Sequence, residues 1–149
     1  MKNGDYNNNY NVNWILEERT IFINGEIDEI LSCDVWSKMH YLDSLNHEDI
    51  TLCINSVGGV VRDGLMIFDA INEVKSDVRT ICIGKAYSMG AFLLGAGTYG
   101  KREATPNSEI MIHQPITGAQ GQVSDVKIEM EHAVKIKQKM NEYILHYRL

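Results

Sequence analysis

Residues 78–97 read VRTICIGKAYSMGAFLLGAG, and this stretch decides the fold. Val78 to Ile83 is a β-branched, apolar run with the signature of a strand. Gly84-Lys85-Ala86-Tyr87 reads as a turn. From Ser88 onward the residues are small and apolar, too rich in glycine for an exposed helix and suited to a buried, closely packed one. The same order occurs just upstream. Ile50 to Ile54 (ITLCI) is a strand, apolar almost throughout, as expected where both faces of a sheet are covered. Asn55-Ser56-Val57-Gly58-Gly59 is a tight loop, and Leu65, Phe68, Ile71 and Val74 mark the buried stripe of a helix ending near Lys75. Consecutive strand–turn–helix units imply parallel βαβ connections and an α/β fold.

Outward from this centre, Thr20 to Asn24 (TIFIN) is a short strand closed by the turn pair Asn24-Gly25. Asp28 is placed to cap a helix whose apolar positions are Leu31, Val35, Met39 and Leu42. Glu109 to His113 (EIMIH) reads as a fourth core strand stopped by Pro115, and Thr117 to Gln122 as a glycine-rich loop. Ser124 is the expected cap of the last helix, with Val126, Met130, Ala133, Ile136 or Lys137, Met140 and Ile144 along it. Lysines at 127, 135, 137 and 139 make that stripe ragged.

Composition narrows the function. The 149 residues include 20 acidic and 14 basic side chains, a formal charge of −6. That balance argues against a binder of nucleic acid or of an anionic membrane, which needs a basic face. One domain is the natural reading, and a chain of this size buries roughly 70% of its unfolded surface. No apolar run approaches the ~18 residues that cross a bilayer. The N-terminal MKNGDYNNNYNVN has no apolar region and is not a secretory signal; it reads as a flexible arm. Cys33, Cys53 and Cys82 are odd in number and lack CxxC spacing, so reduced thiols in a cytoplasmic protein fit better than disulfides, and no metal site is expected.

In a parallel α/β sheet the turns after strands lie at the carboxyl edge, where ligand sites form. The turn at 86–90, Ala-Tyr-Ser-Met-Gly, is a variant of the G-x-S-x-G nucleophile elbow with Ala86 in the first small position. Its small residues let a sharp strand-to-helix turn present the Ser88 hydroxyl beside the free N–H groups of a helix start. A serine before a helix is more often a cap than a nucleophile. The second glycine-bearing turn changes the weighing, because Gly58-Gly59 lets backbone approach a ligand and add an N–H to that of Met89. A base is then required. His40, His47, His132 and His146 read as solvated groups. His113 ends an apolar strand and emerges at the same sheet edge as Ser88, as either a satisfied core histidine or a catalytic one.

The strings RTIFINGEI (19–27), INSVGGVVRDGLMIFDAI (54–71), VRTICIGKAYSMGAFLLGAG (78–97), PNSEIMIHQP (106–115) and GQVSDVKIEMEHAVKIKQKMNEY (121–143) resemble the Clp protease proteolytic subunit (ClpP) family of self-compartmentalised serine peptidases. The resemblance covers nearly everything from Arg19 onward. It implies a ClpP/crotonase-like fold of repeated β-β-α and βαβ units with a C-terminal handle helix. It divides the chain into an N-terminal arm (1–18), a head domain (19–117) and a handle segment and helix (118–149). It makes Ser88 the nucleophile, His113 the general base, Gly59 and Met89 the oxyanion-hole amides, and Gly58 a support of the same loop. It implies unfolded protein or peptide substrates bound as an added strand, homo-oligomeric rings interlocked through the handle, an AAA+ unfoldase as partner, and no cofactor.

Some positions depart from the family pattern. Val57 stands where a proline is usual, and Tyr87 where a small residue precedes the nucleophile, which makes Tyr87 a candidate for the substrate pocket. The arm lacks the usual hydrophobic axial-loop sequence. The family aspartate that orients the histidine follows the handle helix, past Leu149; Asp125 falls at a handle position and is not given that role. A triad without its acid loses about four orders of magnitude. The ending HYRL inside an apparent helix therefore implies a truncated chain, with an intact mass above 16.9 kDa for the natural one. A catalytically impaired subunit with a structural or regulatory role is the alternative. A crotonase-type acyl-CoA enzyme is a further one, against which Ser88 and His113 both count.

Overall fold

The computed structural model describes residues 16–113, 118 and 120–147. Most of the expected N-terminal arm, the stop at Pro115 and the final two residues of HYRL lie outside these. In chain order the elements are β1 (Thr20–Ile27), α1 (Glu29–Leu45), β2 (Ile50–Gly59), α2 (Val61–Glu73), β3 (Val78–Tyr87), α3 (Met89–Ala96), β4 (Arg102–Ala104), β5 (Glu109–Met111) and α4 (Val123–Tyr147). The sheet is parallel in order β1-β2-β3-β4, and β5 pairs with β3 beyond the end of β4. The expected α/β class and strand–helix alternation hold.

Asp28 caps α1 as expected, accepting the Leu31 N–H at 2.8 Å. The stripe Val35, Met39, Leu42 is buried, with Ser32 beside it and Leu31 only partly covered. On α2, Phe68 and Ile71 are buried, while Leu65, and Val74 just past the helix end, pack at the edge of the core. α1 packs on β1 and β2, α3 on β2 and β3, and α2 fits between these two helices. All three helices therefore cover one face of the sheet. Burial alternates along β1, with Ile21, Ile23 and Ile27 inside and Phe22 44% exposed. ITLCI is covered on both faces as expected: Ile50, Leu52 and Ile54 are buried on the side of Ile21 and Ile23, and Cys53 is buried on the opposite side, where Thr51 is half-buried.

Several boundaries also differ. β2 and β3 run on through 55–59 and 84–87, which read as turns from sequence. β1 passes Asn24-Gly25 without turning, and the β1–β2 register slips by one residue between Gly25 and Glu26, a bulge rather than a hairpin. β5 ends at Met111 and its residues are exposed, so it is not a core strand. The last helix begins at Val123, and the Ser124 hydroxyl contacts Asp125 rather than capping the helix.

Buried side-chain nitrogen and oxygen atoms all have hydrogen-bond partners among the described residues. The Thr80 hydroxyl donates to Leu94 O at 2.6 Å and ties β3 to α3. The cysteines are free thiols, Cys53 and Cys82 buried and Cys33 exposed. No helix among the described residues is long and apolar enough to cross a membrane.

Candidate active site

The β3–β5 ladder runs Lys85–Glu109, Ala86–Ile110, Tyr87–Met111. It is extended by one more bond, in which the Ser88 N–H donates to Met111 O at 2.7 Å. The chain then reverses direction at once, and Phe92 N–H donates to Ser88 O at 3.1 Å to start α3. A single residue makes the change from strand to helix, and Ser88 adopts φ 52°, ψ −118° to do so. A side-chain-bearing residue held there costs about 1–3 kcal/mol. Ser88 makes no capping hydrogen bond with its side chain. The ordinary role for a serine at this position is thus not the one it fills.

Gly58 explains how β2 fits against this elbow. It sits at φ +91°, and a Cβ built on it would lie 2.8 Å from Ser88 Cβ and from Tyr87 O, and 3.1 Å from Met89 N. Only glycine allows that approach. Its own N–H is taken by the buried Ser56 hydroxyl at 3.0 Å, which in turn donates to Gly25 O at 2.6 Å. Gly59 is held against β1: an added Cβ would meet Ile27 O at 2.2 Å, and the next N–H, of Val60, donates to that oxygen at 2.8 Å. The Met89 N–H belongs to the first turn of α3, where amides have no intrahelical acceptor and carry the positive end of the helix dipole.

A cavity of about 260 Å³ opens beside the elbow. Ser88 and Met89 line it together with Val61, Phe92, Ile112 and His113, and Met140, Asn141 and Ile144 of α4 close it. Two residues 25 positions apart in sequence, Ser88 and His113, therefore share one cavity, whose walls are mostly apolar. Gly58 and Gly59 are not among its lining residues, although Gly58 packs directly against Ser88 and Met89 and Gly59 follows it in the chain. Tyr87 does not line it either; its hydroxyl donates to the Glu109 carboxylate, and that bond, with partial desolvation and the Glu109 charge, pushes the phenol above its ordinary value.

The other histidines are engaged elsewhere. His40 stacks on Trp36 with centroids 3.9 Å apart and reaches Glu73 at 3.3 Å, so it is half-buried rather than freely solvated. His47 meets Asp43, and His132 Nε2 accepts from Arg62 at 2.9 Å. The α4 wall of the cavity was not read from sequence as part of the site. Met140 and Ile144 stand out only as stripe residues, and Asn141 carries no pattern that marks it.

A parallel α/β sheet that brings a hydroxyl on a strained turn and an imidazole into one cavity beside a helix start has the layout of a serine hydrolase. The Clp protease family model matches residues 3–147. The ATP-dependent Clp protease proteolytic subunit of Carsonella ruddii (strain PV) is 52% identical over 130 residues, covering 87% of this chain and 67% of that protein. The chain belongs to the Clp protease family.

Proposed function

We propose that this chain is a ClpP-type serine endopeptidase subunit in which Ser88 is the nucleophile and His113 the general base. The observation that carries the assignment is the backbone of Ser88: a left-handed φ that is costly to hold, on a hydroxyl spared from capping, in a cavity shared with His113. His113 takes the Ser88 proton as the oxygen attacks a peptide carbonyl. The oxyanion is held by the N–H groups of Met89 and Gly59, an acyl-enzyme forms, and water releases it. The apolar walls contributed by Val61, Phe92, Met140 and Ile144 suit an apolar side chain of an unfolded peptide. The peptide backbone adds as a strand between the end of β2 and the 114–123 segment, part of which lies outside the described residues.

The subunits assemble as homo-oligomeric rings, and an ATP-dependent unfoldase supplies the unfolded chain. Acyl transfer by serine and histidine calls on no metal or nucleotide in the subunit itself. Buried free thiols at Cys53 and Cys82 fit the cytoplasm.

A fluorophosphonate probe tests the assignment on the full natural chain. Labelling at Ser88 that disappears in Ser88→Ala and slows at least 100-fold in His113→Gln is the expected result. Absence of labelling on the natural chain, assembled and folded, overturns it.

A further inference from the structure

The strand that leads into His113 is held in an unusual way. β5 has only three residues, and Glu109 to His113 are all exposed, so it buries no side chain that would fix its position. Its place depends on hydrogen bonds: the short ladder to β3, the Ser88 N–H to Met111 O bond, and a weak contact of the Cys82 thiol with Glu109 O at 3.8 Å. One bond between side chains adds to these. The Tyr87 hydroxyl donates to the Glu109 carboxylate. The register explains why they meet. Tyr87 pairs with Met111, and Glu109 lies two residues earlier on the same face of β5.

We infer that Tyr87 and Glu109 are positioning residues for the Ser88–His113 pair, a latch across the two strands that lead into these groups. This inference rests on the catalytic reading of Ser88 and His113. Tyr87 is the residue directly before Ser88, so tension on its side chain acts on the elbow. Glu109 is four residues before His113, on a strand with no packed face to resist sliding. Neither residue lines the cavity, so neither touches substrate there. The pair therefore acts on the rate of proton transfer and attack, not on binding. Because the carboxylate accepts a hydrogen bond from the phenol, the bond needs Tyr87 neutral and an acceptor at 109; it is kept by an amide oxygen at that position and lost with a methyl group.

The test measures kcat and KM for a short peptide, the fluorophosphonate labelling rate, and amide hydrogen exchange at Ser88, all on the assembled full chain. Tyr87→Phe and Glu109→Ala are each expected to lower kcat and labelling about threefold to tenfold, the range of one side-chain hydrogen bond. KM stays unchanged and exchange of the Ser88 N–H becomes faster. Glu109→Gln restores most of the rate. Combining Tyr87→Phe with Glu109→Ala costs no more than either alone, because one bond is removed once. Wild-type labelling together with unchanged kcat and exchange in both single variants overturns the latch and leaves the catalytic reading standing. A rise in KM at constant kcat also overturns it, since it assigns these residues to binding. Failure of the wild type to label overturns the catalytic reading, and the latch with it.

Discussion

Ser88 and Gly58 form a coupled pair of backbone strains. The left-handed φ of Ser88 is tolerated because β2, the start of α3 and the Met111 carbonyl hold it from three sides. Glycine at 88 would relax that φ, whereas alanine keeps the Cβ and the strain. Ser88→Gly is therefore expected to be more stable than Ser88→Ala by about 1 kcal/mol, after the entropy that glycine adds to the unfolded chain is counted. That is a difference in Tm of roughly 2–4 °C by calorimetry, with both variants inactive. Equal Tm values would mean that the elbow stores no strain. Gly58→Ala works in the opposite direction. Its methyl would arrive at 2.8 Å from Ser88 Cβ, so the elbow must shift. A loss of about 100-fold in kcat/KM is expected, with substrate turnover as the measurement; a variant with full activity would show that the elbow has slack.

At the scale of elements, α1 is joined to its neighbours by polar bonds at its C-terminal end as well as by its buried stripe. α1 has no basic residue in its last turn. Arg19 supplies the missing donors from outside, to Leu42 O at 3.0 Å, Asn46 O at 3.3 Å and Glu48 O at 2.8 Å. Asp43, near the same end, accepts the Ser76 hydroxyl and N–H at 2.8 Å each and the Lys75 N–H at 3.1 Å, which fastens α1 to the start of β3. Partial burial alone would raise this carboxyl, but these donors and His47 outweigh it and hold it well below the usual carboxylate range. A depressed folded-state pKa stabilises the fold above the unfolded value of about 3.9 and loses that contribution as pH falls below it. Asp43→Asn should thus cost about 2 kcal/mol at pH 7. The gap from wild type should narrow by pH 2.5, read by urea unfolding at both values; a gap of constant size would assign the effect to shape rather than charge. None of this network was legible in the sequence, because Arg19 and Asp43 lie 24 positions apart and carry no periodic signal. What periodicity does show is the buried stripe of each helix, and there Val35, Met39, Phe68 and Ile71 were readable. It fails at Asn55–Gly59 and Gly84–Tyr87, where glycines and polar residues hide strands that the ladder hydrogen bonds nevertheless continue. It fails again at β4, whose Arg-Glu-Ala has no apolar alternation at all. The elbow was legible because its chemistry is local in sequence. The α4 wall was not, because it reaches the cavity only through tertiary packing.

In the whole molecule, two surfaces stand open among the described residues that a lone globular chain would ordinarily cover. Among the described residues the sheet carries its three packed helices on one face, whereas parallel sheets are almost always covered on both. The second surface is on α4. Its C-terminal half is docked, with Met140 buried and the Tyr143 ring 4.7 Å from Phe68. Its N-terminal half carries Val123, Met130 and Val134 at i, i+7 and i+11, a single helical stripe, and these are 88%, 45% and 51% exposed. Contiguous apolar stripes of this kind mark interaction surfaces. The assembly proposed above would bury this stripe, and the acidic chain with its −6 charge gives a direct way to prevent that. Glutamates at 130 and 134, one turn apart, would place like charges on the stripe and raise the cost of burying it. The double variant Met130→Glu/Val134→Glu should keep its head folded, because neither side chain belongs to the core. Native mass spectrometry should then find smaller assemblies than for the wild type, at unchanged far-ultraviolet circular dichroism. Because α4 also closes the cavity beside Ser88, the smaller species should turn over peptide more slowly than the intact assembly. An assembly of undiminished mass would show that subunits meet through other surfaces, with the open face of the sheet the next to be tested by charge at Phe22.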